Sequence, residues 1–425
     1  MKSWDDPEDK RKERERKERI QHPHLIKSRK HWDLEQQYYD YFDETKAVRD
    51  KKMKKLAVVG RGTVGCTTVA HFLRYTDWDI DWYYDPDISP TPVGEATTLA
   101  IITTWRDTLD FTAQDHYALQ STTKVGIMKR GWGPGDKFLH SFPMGLTGIH
   151  FSGVTFQQHV FARLQSNKRV NTLEGNCIPE EIDSDFVIVC SGTPKDIDNN
   201  FTVSESIPVN ACLVSQCEWD EPRFDYSLTY AMPNGWAFGI PLKNRCSIGY
   251  VHNDKYADRE TVNKEVEPLL NELDLTTSRQ NYLKFQNYYR KQNYSDRIVY
   301  NGNASFFLEP LEATSTGLSD DISRTCWDLW FKKNTSVEQS NDKYLTEMRN
   351  IELMISLHYA SGSIYENDFW THAKEKGIAR LKQGIDNDEL FMQHLYRCLT
   401  NPNIEKDLPK AGSWDFSPSF NTHID

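Results

Sequence analysis

No stretch of this 425-residue sequence approaches the roughly 20 consecutive apolar residues that a membrane-spanning helix needs. The N-terminus is too densely charged for a secretory signal. Cysteine pairing signals are missing as well. The eight cysteines (Cys66, Cys177, Cys190, Cys212, Cys217, Cys246, Cys326 and Cys398) form no C-x-x-C pair and have no histidine nearby at zinc spacing. Free or buried thiols in a reducing compartment fit better than disulfides or a metal site. Positive charge is scarce outside the first 55 residues: those hold 17 Lys and Arg against 13 Asp and Glu, leaving 34 against 49 in the body. An acidic body argues against a nucleic-acid enzyme. There is no internal repeat. What is present, 38% hydrophobic and 27% charged residues, is ordinary soluble composition, and a cytoplasmic location is the expectation.

The length suggests roughly two to three domains or one large composite one. EDKRKERERKER (Glu8–Arg19) alternates charge sign with almost no apolar content, so residues 1–53 are expected to form a charged helical or flexible arm. The core begins near Lys54. KKLAVVGRGTVGCTTVAHFLRY followed by DWDIDWYYD predicts strand, glycine turn, helix and second strand. Gly60, Gly62 and Gly65 stand in the G-x-G-x-x-G register: the first makes the tight turn, the second admits a pyrophosphate, and the third permits close helix–strand contact. Thr63 and Val64 open the helix, whose unpaired N–H groups favour phosphate. Asp85, 25 residues beyond Gly60, is placed for a ribose-binding carboxylate.

SDFVIVCSG (Ser184–Gly192) is a buried strand that returns far downstream. A dinucleotide domain interrupted in this way points to FAD rather than NAD. YSLTYAMP, GWAFGIPL and RCSIGYVH predict an antiparallel sheet with one face on a cavity. In GWAFGIPL, Trp236 and Phe238 share a face and Pro241 ends the ladder, which by itself reads as an edge strand. Residues 344–359 predict a helix with positions 351, 354, 355 and 358–359 on its apolar face. The tail from Asn401, with Pro402, Pro409 and Pro418, reads as irregular. The expected fold is α/β: a Rossmann-like FAD-binding domain of the flavin-monooxygenase type with an inserted antiparallel sheet (54–320), then a mainly helical substrate-side region (321–425).

Five segments in order resemble the flavin-dependent halogenases of the tryptophan-halogenase type: GRGTVG, PVGEAT (Pro92–Thr97), GWAFGIP, EPLEATSTG (Glu309–Gly317) and ISLHY with DFW (Ile355–Trp370). They span about three quarters of the chain, Leu56 to Trp370. The resemblance implies an enzyme that takes reduced FAD from a separate flavin reductase. With O2 and halide it forms hypohalous acid and passes it through a tunnel to a lysine beside an electron-rich aromatic substrate. It implies Lys124 in STTKVGIMKRGW as that lysine, with Lys129 five residues on, and Glu312 as its catalytic partner. A lysine in an apolar cavity has a lowered pKa, which suits that role.

Glu95 and Ala96 are implied at the cofactor, and Thr316 and Gly317 as halide-binding backbone, with Thr314 and Ser315 as the other pair. His140 and Phe142 of FLHSF are implied at the substrate ring. Trp236, Phe238 and Pro241 are implied as the barrier between flavin and substrate. The sequence departs from the family at Cys66-Thr67-Thr68, at Phe238, and in the two residues added after Glu312. Only 55 residues follow Trp370, so a more open substrate site than in tryptophan-specific members is expected. The other readings are a flavin monooxygenase or FAD oxidoreductase acting directly on its substrate, and a non-catalytic flavoprotein that recruits a partner through its arm. The sequence leaves a homo-oligomer open.

Overall fold

In the computed structural model the described residues are 54–88, 94–133, 137–142 and 146–400. The expectations for the charged arm, for Pro92 and Val93, and for the tail from Asn401 lie outside them. The first sheet is parallel throughout. Strand β1 (Lys55–Val59) pairs with β2 (Asp79–Tyr84) on one side and with Phe186–Val189 on the other; Val170–Glu174 and Ile298–Tyr300 form its edges. Its central strands read as continuous apolar runs because a parallel sheet is covered on both faces, and Leu56, Ala57, Val58, Val187 and Ile188 have no exposed surface.

Between β1 and helix α1 (Thr63–Tyr75) the three glycines each meet a different constraint. Gly60 has φ +112°, and a Cβ there would lie 2.2 Å from the Cys190 carbonyl oxygen. A Cβ on Gly65 would lie 2.0 Å from the Gly60 oxygen, so α1 sits against the turn only because that position is bare. A Cβ on Gly62, the N-cap of α1, would meet no neighbouring atom within 4 Å. Gly62 therefore faces open space at a helix N-terminus.

The insertion after β2 builds two further sheets. Short strands β3 (Gly94–Ala96) and β4 (Thr122–Lys124) flank β7 (Gly148–Ser152). Strands β5 (Gly126–Arg130) and β6 (Lys137–Ser141) join a seven-stranded sheet that continues through Ser227–Met232, Gly235–Leu242, Arg245–His252, Ala211–Glu218 and Thr276–Lys284. This sheet is antiparallel except where β5 runs parallel to Ser227–Met232. The stretch from Thr122 to Arg130 is thus two strands of two sheets. The chain changes sheets at Val125, whose N–H donates to the Asp225 carbonyl and whose carbonyl accepts the Phe142 N–H.

The edge-strand reading of GWAFGIPL is corrected: Gly235–Leu242 is an interior strand, and Pro241 lies within it opposite Cys246. Proline is tolerated there because pairing with Ser227–Met232 has already ended at Leu228 opposite Gly239. Phe238 needs its own cross-strand gap, for a Cβ on the opposing Gly249 would come within 2.0 Å of the ring.

The C-terminal helices cover the far side of this sheet's site. The helix Val337–Ser361 starts at a capping box, Ser336 with Gln339, and packs closely on Asp368–Asp386 at Gly377, where a Cβ would lie 2.6 Å from the Ser356 carbonyl oxygen. The helix Ser315–Trp327 runs without a break through residue 320. Among the described residues no helix is long and apolar enough to cross a membrane.

Replacing Gly65 by Ala should destabilise the fold by about 1–3 kcal/mol through overpacking. Gly62→Ala, in open space, should change stability by less than about 0.5 kcal/mol. Urea denaturation of both variants checks this; equal midpoints would contradict it.

Candidate active site

Lys124 ends β4 and turns inward, with 1% of its surface exposed. Its Nζ donates to the Thr97 carbonyl at 3.4 Å and lies 5.4 Å from the centre of the Phe142 ring. Thr97 is itself fixed on β7, through its N–H to the Ile149 carbonyl and through its hydroxyl, which accepts the Ile149 N–H. Burial pushes the Lys124 ammonium down to about 8; Glu312 opposes the shift and Lys129 adds to it.

Two residues earlier on the same face, the Thr122 hydroxyl donates to the Pro241 carbonyl at 2.6 Å. It must then accept from His150 Nδ1 at 3.1 Å, leaving Nε2 to accept from Ser227 at 2.9 Å. His150 is accordingly neutral, its pKa held well below the ordinary range by burial and by Lys124. Through Thr122 the strand that carries Pro241 holds β4 in place.

Glu312 lies in a 3-10 turn with φ +72°, followed by Ala313 at φ +53°, two successive non-glycine residues in the left-handed region. The turn aims the carboxylate into the interior. There its Oε1 accepts from Lys129 Nζ, and Lys129 Nζ also meets His358 Nε2. His358 Nδ1 lies 2.9 Å from the Met354 carbonyl and must donate to it. In the neutral ring this leaves Nε2 as an acceptor, so both His358 Nε2 and Glu312 Oε1, 3.1 Å apart, converge on the Lys129 ammonium. His358 is held below its ordinary pKa by burial and then by Lys129, against the pull of Glu312. Burial alone would raise the Glu312 pKa, but Lys129, His358 and His140 outweigh it and hold the carboxyl well below its usual range. Trp132 closes the back of this cluster, edge-on to His358, Tyr359 and Trp370, with its N–H on the Thr229 carbonyl.

Glu309 behaves differently. It is fully buried; its Oε2 accepts from Trp236 Nε1 at 2.8 Å and from the Tyr359 hydroxyl at 2.9 Å. Burial raises its pKa to about 8, against those two bonds. It serves as a strut between the strand Gly235–Leu242 and the Val337–Ser361 helix. Beside it, Trp236 and Phe238 have ring centres 6.1 Å apart. Phe238 and Ala313 pack on the apolar cluster of Ala96, Ile240 and Leu242. Strand β3, the strand Gly235–Leu242 and the Glu312 turn therefore meet at one point.

On the other side of Ala96, Glu95 accepts from the Thr63 hydroxyl at 3.0 Å, and burial raises its pKa to about 7. Val64 packs on Gly302, where a Cβ would lie 2.9 Å from a Val64 methyl. Asp85 is partly buried just past β2, its carboxylate accepting the Asp87 N–H at 2.9 Å. Thr316 and Gly317 fall in the first turn of Ser315–Trp327, where helical N–H groups lack intrahelical partners. A Cβ on Gly317 would lie 3.3 Å from the Thr98 hydroxyl, and Thr316 Oγ1 is buried with no partner among the described residues. The open Gly62 turn, the bare α1 N-terminus and the Glu95–Ala96 segment suit a dinucleotide with its pyrophosphate at the glycines.

Sequence reasoning assigned no role to Lys129, His358 or Asn301. His358 was counted on an apolar helical face, yet an imidazole on a buried stripe requires a partner, and that signal was available. Asn301 is fully buried and donates to Ser319 O and Ser323 Oγ while its Oδ1 receives the Gly302 N–H, fixing the turn that faces Val64.

A parallel sheet with a glycine turn, interrupted by an insertion that brings a second sheet and a buried lysine–carboxylate cluster together, defines the class of dinucleotide-dependent flavoprotein folds. The chain belongs to the tryptophan halogenase family, whose profile matches residues 55–182 and 179–387. It is 26% identical over 141 residues to tryptophan 7-halogenase RebH of Lentzea aerocolonigenes, a match covering 31% of this chain and 26% of that protein. The matched stretch thus spans about a quarter of that relative's length. The fold is similar to Xcc4156, a flavin-dependent halogenase from Xanthomonas campestris, with TM-score 0.67 and 19% identity over 79% of this chain and 84% of that one. It is likewise similar to BrvH, a flavin-dependent halogenase from Brevundimonas sp. BAL3, with TM-score 0.64 and 21% identity over 76% and 82%.

Because Glu309 binds its proton more tightly folded (about 8) than at its ordinary 4.5, it makes stability fall as pH rises between those values. Glu309→Gln keeps a neutral acceptor for Trp236 and Tyr359. Urea unfolding at pH 5 and pH 8 should therefore show a smaller loss of stability in the variant than in the parent; an unchanged or larger loss would contradict this.

Proposed function

We propose that the protein is a flavin-dependent halogenase that uses reduced FAD, O2 and halide to deliver hypohalous acid to an electron-rich aromatic ring by way of Lys124. The supporting observation is Lys124 itself: a lysine 1% exposed, held between the Thr97 carbonyl and the Phe142 ring, in the field of a buried carboxylate. FAD, when bound, supplies the oxidation of halide. Gly60, Gly62, Thr63, Val64, Gly65, Asp85, Glu95 and Ala96 would hold it, with halide at the backbone of Thr316 and Gly317. The reductant would come from a separate flavin reductase.

The remaining work falls to side chains of this chain. Phe238 and Trp236, anchored by Glu309, separate an organic substrate from the cofactor side while a small oxidant passes. The Lys124 ammonium donates to the hypohalous oxygen, and Phe142 and His140 position the ring. As the carbon–halogen bond forms and the halogen–oxygen bond breaks, the departing oxygen takes a proton from Lys124 and leaves as water. Glu312 takes the ring proton, and the C–H electron pair restores aromaticity.

Lys124→Ala should lower the rate of halogenated product at least about 100-fold. FAD binding by fluorescence quenching, and oxygen-dependent oxidation of supplied reduced flavin, should persist. Undiminished halogenation by the variant, or a hydroxylated product from the parent, would overturn the proposal.

A further inference from the structure

We infer that Lys129, backed by His358, is a positioning residue that clamps one oxygen of Glu312 and leaves the other free to take the substrate proton. The inference rests on the halogenase reading above and assigns the site's second buried lysine a task different from that of Lys124.

Three observations carry it. Lys129 is 1% exposed, and an ammonium so placed carries a large desolvation penalty unless it is paired and hydrogen-bonded. A methionine would fill the same volume without that cost, so the charge has a task. The second observation is the one-sided geometry. Both Lys129 and His358 lie against Glu312 Oε1, no hydrogen bond to Oε2 is formed among the described residues, and the side chain keeps 12% of its surface exposed. The third is the backbone. Residues at φ +72° and +53° are held against their backbone preference. The Lys129–Glu312 pair ties that turn to β5.

The relay has a defined direction. The Met354 carbonyl fixes the His358 tautomer, the His358 lone pair orients the Lys129 ammonium, and Lys129 holds Glu312 as a carboxylate. The charged and titratable groups facing Glu312 come from four elements: Lys129 from β5, Lys124 from β4, His140 from β6, and His358 from the Val337–Ser361 helix. In the proposed reaction the ring proton goes to Oε2 and is passed to Lys124, restoring both groups. Without Lys129, burial would favour the protonated acid, which has no capacity to take a second proton.

The test compares the parent with Lys129→Met across pH 5.5–9, supplying a flavin reductase, FAD, NADH, bromide and an indole or phenol that the parent brominates. The acid limb of the product rate should move up by at least about one pH unit in the variant, with at least about a tenfold loss near pH 6 that recovers toward alkaline pH. FAD affinity and the KM for the aromatic should be unchanged. If Lys129→Met does not fold, His358→Gln, which keeps an acceptor but not the fixed ring, is read instead and should shift the limb the same way by a smaller amount. A loss of rate that is uniform over all pH values, or an unshifted limb, overturns the inference. A parent that makes no halogenated product overturns the underlying halogenase reading, and the inference with it; a halogenating parent with a variant of identical pH profile overturns the inference alone.

Discussion

Two lysine ammonium groups share the interior with one carboxylate, and much of the local architecture follows from keeping that arrangement tolerable. Lys124 and Lys129 are five residues apart, on one strand's worth of chain, yet they reach Glu312 from two different sheets because the chain crosses between them at Val125. A continuous strand would have put positions 124 and 129 on opposite faces. The carboxylate is presented by a left-handed turn, and the helix behind it contributes an imidazole as acceptor, not as a third cation. Each device reduces the uncompensated charge that burial would otherwise penalise by several kcal/mol.

The strand Gly235–Leu242 leans on a second buried carboxyl with the opposite solution. Glu309 has no cation; it holds Trp236 and Tyr359 and its pKa rises. Two glutamates three residues apart thus differ because one meets ammonium and the other meets neutral donors. Phe238 keeps aromatic bulk beside Trp236, and the missing side chain of Gly249 accommodates it. Pro241 contributes its carbonyl, which accepts from Thr122 and fixes the strand carrying Lys124.

The parts most legible in the sequence were those with a local physical cause. The glycine register announced the β1–α1 turn because Gly60 and Gly65 answer contacts that any Cβ would violate while Gly62 leaves the helix N-terminus open, and the late apolar strand Phe186–Val189 does pair beside β1 as an interrupted domain requires. The helix over residues 344–359 was legible from its spacing and forms part of Val337–Ser361. Long-range pairing was less visible. Pro241 suggested an edge, but its neighbour strand simply ends first, a register fact that no local pattern encodes. Lys129 carries no local signal of its role, since its partners Glu312 and His358 lie 183 and 229 residues away.

The most direct measurement of the central claim is the mass of the product formed by the purified protein with a flavin reductase, FAD, NADH, O2 and bromide, offered a panel of indoles, phenols and anilines. The account predicts at least one product carrying the bromine isotope pair, dependent on bromide and on reductase. Hydroxylated products alone, or no product with any halide while a known halogenase succeeds in parallel, would contradict it.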